Sequence, residues 1–97
     1  KLVDTEEFLQ ELSHATLETI SDENNSLDIN KLIGLHPVLR NRVLINWLIM
    51  HKVPFAPSAG LLDEIVRFLE NNKATTHTLY QKWQLIKNNN RVSLLLL

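Results

Sequence analysis

The sequence predicts an α+β domain in which three helices pack with a small antiparallel β meander at the C-terminal end. Two observations lead to this prediction. Apolar residues recur at helical spacing as far as about residue 70, and beyond Thr75 and Thr76 they alternate with polar residues, which is typical of half-buried strands. The chain has 97 residues, 44% of them hydrophobic and 22% charged. We therefore expect residues 1–97 to form one small globular domain.

The length and the composition also limit the classes of function. A chain of 97 residues supports one modest core but hardly a deep, enclosed active site as well. It contains no cysteine, which excludes disulfides, thiolate metal ligands and a cysteine nucleophile. Its apolar runs are too short for a membrane span, and its N-terminus lacks the pattern of a signal peptide. We expect a cytoplasmic domain with no membrane partner.

The two ends of the chain indicate a fragment of a longer protein. The first residue is Lys1 rather than Met, and the last four residues are all leucine. A C-terminus of that composition would expose apolar side chains to water or to other strands.

The acidic segment 1–20 is predicted to be a linker-like helix. Asp4 and Glu7 have the spacing of a capping pair, and an amphipathic helix follows over about residues 5–19. Its apolar positions are Phe8, Leu9, Leu12, Ala15, Thr16 and Ile20. Residues 21–35 are predicted as a polar break, a short extended segment at Leu27 to Ile29, and a turn.

Residues 36–71 are predicted to form a two-helix core. Pro37 suits the first turn of a helix, and the residues after it are apolar on almost every side, so this helix should be central and buried, with Trp47 in the core. Ser58 is a suitable N-cap for the next helix, which a pair of asparagines ends.

The β meander is predicted over residues 76–97. The residues alternate between two faces: Leu79 and Gln81 oppose Tyr80 and Lys82, and Leu85 opposes Gln84 and Ile86. Asn88-Asn89-Asn90 predicts a turn because asparagine tolerates positive φ angles. A leucine-rich strand from Arg91 to Leu96 then returns along the sheet.

The charge is unevenly distributed along the chain. Residues 1–30 hold one basic and eight acidic side chains, whereas residues 31–97 hold nine basic and three acidic ones. Such asymmetry suggests an anionic partner for the basic part. The alternative is that the two parts attract each other within the fold.

The residues indicate no catalytic site, no metal ligands and no cofactor site in this chain. The four histidines are far apart in sequence, so no pair occupies one helical face as zinc ligands do. We expect each histidine to be structural. The only glycines are Gly34 and Gly60, which leaves no glycine-rich loop for a phosphate.

Several short motifs occur in a fixed order: Leu35-His36-Pro37-Val38-Leu39-Arg40, Trp47-Leu48, Val53-Pro54 and Pro57-Ser58. An apolar helix and a terminal pair of strands follow them. This pattern resembles the second domain of the tRNA(Ile)-lysidine synthetases over nearly the whole chain. The segment Leu27-Asp28-Ile29 likewise resembles an extended segment of that family domain.

The resemblance implies a parent enzyme that uses ATP, Mg and lysine to modify the wobble cytidine in the anticodon of an isoleucine tRNA. The family's catalytic domain carries a Ser-Gly-Gly-x-Asp-Ser loop for ATP, and no such run occurs here. The chain would then be the auxiliary tRNA-binding domain and not an enzyme by itself. The implied partners are tRNA and the catalytic domain of the same parent chain.

The side chains predicted to contact RNA phosphates are Arg40, Lys73, Lys82, Lys87 and Arg91. Arg40 matches an arginine in the family's central helix, with coverage of apolar surface by its stem as the alternative. The other four lie on the meander or its approach, where alternation can bring several to one face. Their alternative role is protection of strand edges against aggregation.

Aromatic residues and competing functions leave further alternatives open. Tyr80 and Trp83 flank Lys82 and can stack on a base, but the pattern favours the sheet core for them.

Two helices and a hairpin also describe a winged-helix DNA-binding domain, although the third helix offers only Arg67 among acidic residues. A third possibility is an interaction module that docks through the acidic helix on a partner or a second copy, giving a homo-oligomer.

Overall fold

The computed structural model describes residues 4–97, which fold into four helices and a four-stranded antiparallel sheet. The elements are α1 (Thr5–Ile20), β1 (Leu27–Asp28), α2 (Ile29–Ile33), α3 (Pro37–Met50), α4 (Ala59–Glu70), β2 (Thr76–Tyr80), β3 (Trp83–Asn88) and β4 (Arg91–Leu96). The predicted α+β class is confirmed. Residues 1–3 of the acidic segment 1–20 lie outside the described part of the chain.

Side-chain caps determine where the helices begin. Asp4 caps α1, although its carboxylate accepts from the Glu6 backbone N–H at 3.0 Å and not from that of Glu7. Ser58 caps α4 through the Leu61 N–H at 3.1 Å. Pro37 occupies the first turn of α3, as predicted. These groups satisfy backbone donors that no residue inside the helix can reach.

The sheet contains one strand more than the predicted meander, in the order β1-β4-β3-β2. β1 pairs antiparallel with β4 through Leu27 and Val92. A two-residue strand carries no periodic signal, and its partner lies far along the chain, so the pairing is not visible in the sequence.

The predicted extended segment and turn at residues 21–35 are partly wrong. Only Leu27–Asp28 is a strand, and Ile29–Ile33 forms the short helix α2. The Asp28 carboxylate starts that helix by accepting from the Lys31 N–H at 3.0 Å, because aspartate competes well for free helix donors.

The core lies between the helices and the inner face of the sheet. Trp47 is 0% exposed, as predicted, and its indole Nε1 donates to the Asn25 carbonyl oxygen at 2.8 Å. The helix α3 is less enclosed than predicted, because Ile49 is 60% exposed on a side that no described element covers.

The buried face of α1 differs from the predicted one. Ser13, Leu17 and Ile20 are its buried residues, whereas Phe8 is 53% exposed. The shift has a polar cause: the Ser13 hydroxyl accepts from the Asn46 amide of α3 at 2.7 Å in a buried contact. A buried polar pair fixes the face of α1 that meets α3.

Candidate nucleic-acid interface

The five predicted RNA-contact residues are scattered over the fold. Arg40 lies in α3, Lys73 precedes β2, Lys82 lies in the β2–β3 turn, Lys87 is in β3 and Arg91 begins β4. The last two point to opposite faces of the sheet, because Lys87 pairs with Val92, the strand neighbour of Arg91. The alternation therefore does not gather these cations on one face.

Lys87 is engaged within the molecule. Its Nζ donates to the Phe68 carbonyl oxygen at 2.7 Å and also to the carbonyl oxygen of Asn71. The same ammonium lies 4.5 Å from the centre of the Phe68 ring, a cation–π distance. Burial lowers the pKa of Lys87 below its usual value. The residue thus closes the C-terminal end of α4, where backbone carbonyls lack helical partners.

Arg91 ties β4 to the chain between α1 and β1. Its guanidinium donates to the Ser26 hydroxyl at 3.0 Å, to the Ile20 carbonyl oxygen at 3.3 Å and to the Ser26 carbonyl oxygen. It also lies 3.6 Å from the Asp22 carboxylate. Hydrogen bonds from Ser26 and the charge of Arg91 lower the pKa of Asp22. Most of the donors of this arginine serve the fold.

Lys73 and Lys82 are exposed, and neither ammonium has a hydrogen-bond or ion-pair partner among residues 4–97. Only their backbones are engaged: the Lys73 N–H donates to the Asn71 side chain at 2.9 Å, and the Lys82 carbonyl accepts from Leu97 at 2.9 Å. Arg40 is half-buried, and its Nε donates to Asn41 at 3.2 Å. Lys73 and Lys82 are therefore available to a ligand through the whole ammonium, and Arg40 through its Nη groups, which have no described bond within residues 4–97.

The acidic and basic parts of the chain attract each other inside the fold. Arg42 of α3 makes two bonds of 2.6 Å to the Glu6 carboxylate of α1, and that bond lowers the pKa of Glu6. Arg91 and Asp22 form a looser ion pair at 3.6 Å. Each pair joins an acidic side chain of residues 1–30 to a basic side chain of residues 31–97, so part of the uneven charge is neutralised within the fold. Lys73 and Lys82 lie elsewhere, near the two ends of the edge strand β2, whereas α1 contacts α3 and β1.

The β2–β3 turn combines a free cation with aromatic side chains. Lys82 lies in the turn between Tyr80 and Trp83, which are paired in register. Tyr80 is 45% exposed and packs on the Phe55 ring at a centroid distance of 5.3 Å, while Trp83 is half-buried. We call Tyr80, Lys82 and Trp83 the turn patch. Neither aromatic residue is part of the fully buried core.

The structure adds contacts that the sequence did not indicate. His77 of β2 lies 2.8 Å from the Glu64 carboxylate of α4 and stacks on the Phe68 ring at 5.3 Å. His51 contacts the Trp47 ring edge-on, and burial lowers the pKa of His51. No group of three or more metal-ligating side chains occurs within residues 4–97. His77 thus joins β2 to α4.

An open cleft lined by asparagines was also missed. It lies between α2, the end of α4 and the β3–β4 turn, and its volume is about 570 Å³. From the sequence, Asn72 is predicted only as part of a helix end, and Asn89 and Asn90 only as part of a turn. The available signal was composition, because ten of the 97 residues are asparagine.

No protein-family model matches this chain, and no curated protein matches it significantly in sequence. None of the helices in residues 4–97 combines the length and the hydropathy that a bilayer crossing requires.

Proposed function

We propose that this chain is a tRNA-binding and positioning domain of a parent enzyme that resembles the tRNA(Ile)-lysidine synthetases. In this proposal another domain of the parent binds ATP, Mg and lysine and carries out the ligation in the cytoplasm. The present chain contributes affinity for the tRNA and holds it relative to that domain.

The turn patch is the observation that carries the proposal. Lys82 lies between Tyr80 and Trp83 in the chain, so its free ammonium provides a phosphate contact close in sequence to aromatic side chains that can stack on a base. The Tyr80 ring packs on Phe55 but is 45% exposed, so part of it is open to an unpaired base while Lys82 is open to a phosphate. Lys73, at the other end of β2, extends the positive charge along the sheet edge.

The positions of the elements agree with the resemblance. The motif pairs that resemble the family lie at element boundaries or in the core: Leu27–Asp28 is a strand, Trp47 and Leu48 are buried in α3, and Pro57-Ser58 opens α4. Helix α3 continues two residues beyond Leu48, to Met50.

The charge on α4 argues against a winged-helix DNA-binding domain. A recognition helix presents basic and amide side chains to the major groove. The exposed residues of α4 include Asp63, Glu64 and Glu70, with Arg67 as the one cation of that helix. This face would be repelled by DNA phosphates.

The test is tRNA binding to the 97-residue chain by filter binding at two salt concentrations. We expect Lys73→Ala/Lys82→Ala to weaken binding about 10-fold or more at low salt and to reduce the salt slope by about one to two units, because each lysine releases about one counterion. Unrelated tRNAs should be affected alike, since phosphate contacts carry no sequence information.

The matched control is Lys73→Arg/Lys82→Arg, which keeps both charges and should bind like the wild type. Equal affinity of the alanine variant and the wild type at both salts would contradict the assignment. A stable dimer of the chain with no tRNA binding would instead favour the protein-interaction module.

A further inference from the structure

The asparagine-lined cleft has the construction of a small-molecule or base-binding site. Ile29 and Ile33 of α2 and Leu69 of α4 contribute apolar lining to the cleft. Its volume of about 570 Å³ falls within the range of ligand sites, which combine an apolar lining with a few polar groups.

Three amide side chains on the rim are free to bind a ligand. The side chains of Asn30, Asn72 and Asn89 line the cleft and make no hydrogen bond with any side chain or backbone group of residues 4–97. Each amide offers two donors and an acceptor. By contrast, the Asn90 amide already accepts from the Asn30 N–H and donates to the Asp28 carboxylate, each at 3.0 Å.

The charged groups on the wall favour a base over a phosphate. Lys87 uses two of its three ammonium donors on backbone carbonyls, which leaves one for an acceptor on a ligand. Glu70 also lines the cleft. A carboxylate repels a phosphate but accepts a hydrogen bond from an exocyclic amino group.

We propose that this cleft binds an amino-bearing nucleobase, adenine, cytosine or guanine, from an unpaired RNA residue. Proteins recognise single-stranded RNA through unstacked bases, whose edges they bind by hydrogen bonds. This inference rests on the proposed RNA-binding function and adds a base-reading site to it, separate from the turn patch. Uracil lacks the amino group that Glu70 would accept from, so it should bind less well.

The test compares wild type with the triple variant Asn30→Ala/Asn72→Ala/Asn89→Gly. Glycine is chosen at position 89 because the φ angle there is 49°, which glycine adopts without strain. The probes are short labelled oligoadenylate, oligocytidylate and oligouridylate strands, measured by fluorescence anisotropy at two salt concentrations. Asn24→Ala, on an exposed loop away from the cleft, is the matched control, and the urea midpoint of each variant checks its folding.

We expect the triple variant to bind oligoadenylate and oligocytidylate about 10-fold more weakly or worse, since several hydrogen bonds are lost together. Its salt slope should stay as in the wild type, because amides release no counterions. Wild type should bind oligouridylate less tightly than the other two strands.

Two failures can be told apart. Wild-type affinity of the triple variant for all three strands, with tRNA binding still sensitive to Lys73→Ala/Lys82→Ala, would overturn the base site and leave the proposed function intact. Failure of the wild-type chain to bind both tRNA and the oligonucleotides would overturn the proposed function itself.

Discussion

Asparagine supplies much of the tight backbone geometry of this protein. Of the five non-glycine residues described with positive φ, three are asparagines: Asn25, Asn89 and Asn90, at 61°, 49° and 61°. Asparagine enters this region more readily than other L residues because its short polar side chain can hydrogen-bond locally. Neither glycine has a positive φ. Asparagine therefore takes the place that glycine holds in many turns.

Asn90→Ala should lower the free energy of unfolding by about 2 kcal/mol. Alanine tolerates the φ of 61° poorly, and the variant loses the side-chain bonds to Asn30 and Asp28 that join the β3–β4 turn to α2. Urea denaturation measures the change. Asn89→Gly keeps the turn geometry and should stay within about 0.5 kcal/mol of wild type; equal midpoints for both variants would mean that the turn does not hold α2.

Trp47→Ala should lower the free energy of unfolding by about 3 to 5 kcal/mol. The ring is fully buried, and its removal leaves a large cavity and an unpaired Asn25 carbonyl oxygen. The measurement is urea denaturation of Trp47→Ala and Trp47→Phe. Phenylalanine retains much of the ring volume but cannot donate to the Asn25 carbonyl oxygen, so the comparison separates the loss of packing from the loss of the hydrogen bond. A loss below about 1 kcal/mol for alanine would contradict the central position of this side chain.

At the scale of elements, carboxylates hold α1, β1 and the loop between them. Hydrogen bonds lower the pKa of Glu6, Asp22 and Asp28 through Arg42, Ser26 and the Lys31 N–H, respectively. A carboxylate with a lowered pKa in the folded state stabilises the fold above its unfolded pKa and loses that contribution as the pH falls through the folded pKa. Stability should therefore fall progressively below about pH 4.

The prediction is tested by measuring stability against urea at acid pH. Urea midpoints recorded from neutral pH to about one unit below the ordinary aspartate pKa, near 3.9, should decrease for wild type. Asp22→Asn should start lower and show a shallower decrease, because one titrating group is gone. Glu23→Gln, in the same loop without a described hydrogen bond, is the control, and an Asp22→Asn profile parallel to wild type would contradict the assignment.

The sequence predicts the elements whose signals are local and misses those whose partners are distant. Pro37 and Ser58 mark the starts of α3 and α4 correctly because a first-turn proline and an N-cap act on adjacent residues. The β1–β4 pairing is missed because the paired residues Leu27 and Val92 are far apart in the sequence. By contrast, the three residues of the turn patch lie close together in the sequence, so they can be identified without the structure.

The candidate site shows the same limit. The sequence identifies Lys87 as a cation on a strand but not that its ammonium turns inward to the end of α4, because that contact depends on how helix and sheet pack. The cleft is likewise assembled from three separate segments of chain. Residue type predicts which groups are available for chemistry, and only the packed fold decides which of them are already used.

At the scale of the whole molecule, the helices and the sheet should unfold together. α1 and β4 are joined through Ile20, Ser26 and Arg91, and α4 is joined to the sheet through Lys87. Cross-links of this kind between elements produce an all-or-none transition in small domains. We expect tryptophan fluorescence and far-ultraviolet circular dichroism to give the same urea midpoint, and separate midpoints would show that the sheet unfolds on its own.

A ribosome makes the chain from its N-terminus, so Leu27 emerges before its strand partner Val92 exists. In the finished sheet Leu27 is fully buried. Ser21, which precedes it in the chain, bridges Leu27 on one side, but the edge of β1 that meets Val92 stays unpaired until β4 exists. The helical contacts are mostly local and can form early, whereas this pairing must wait. Until β4 has been synthesised and pairs with β1, the nascent domain is therefore prone to aggregate and to be bound by a holding chaperone.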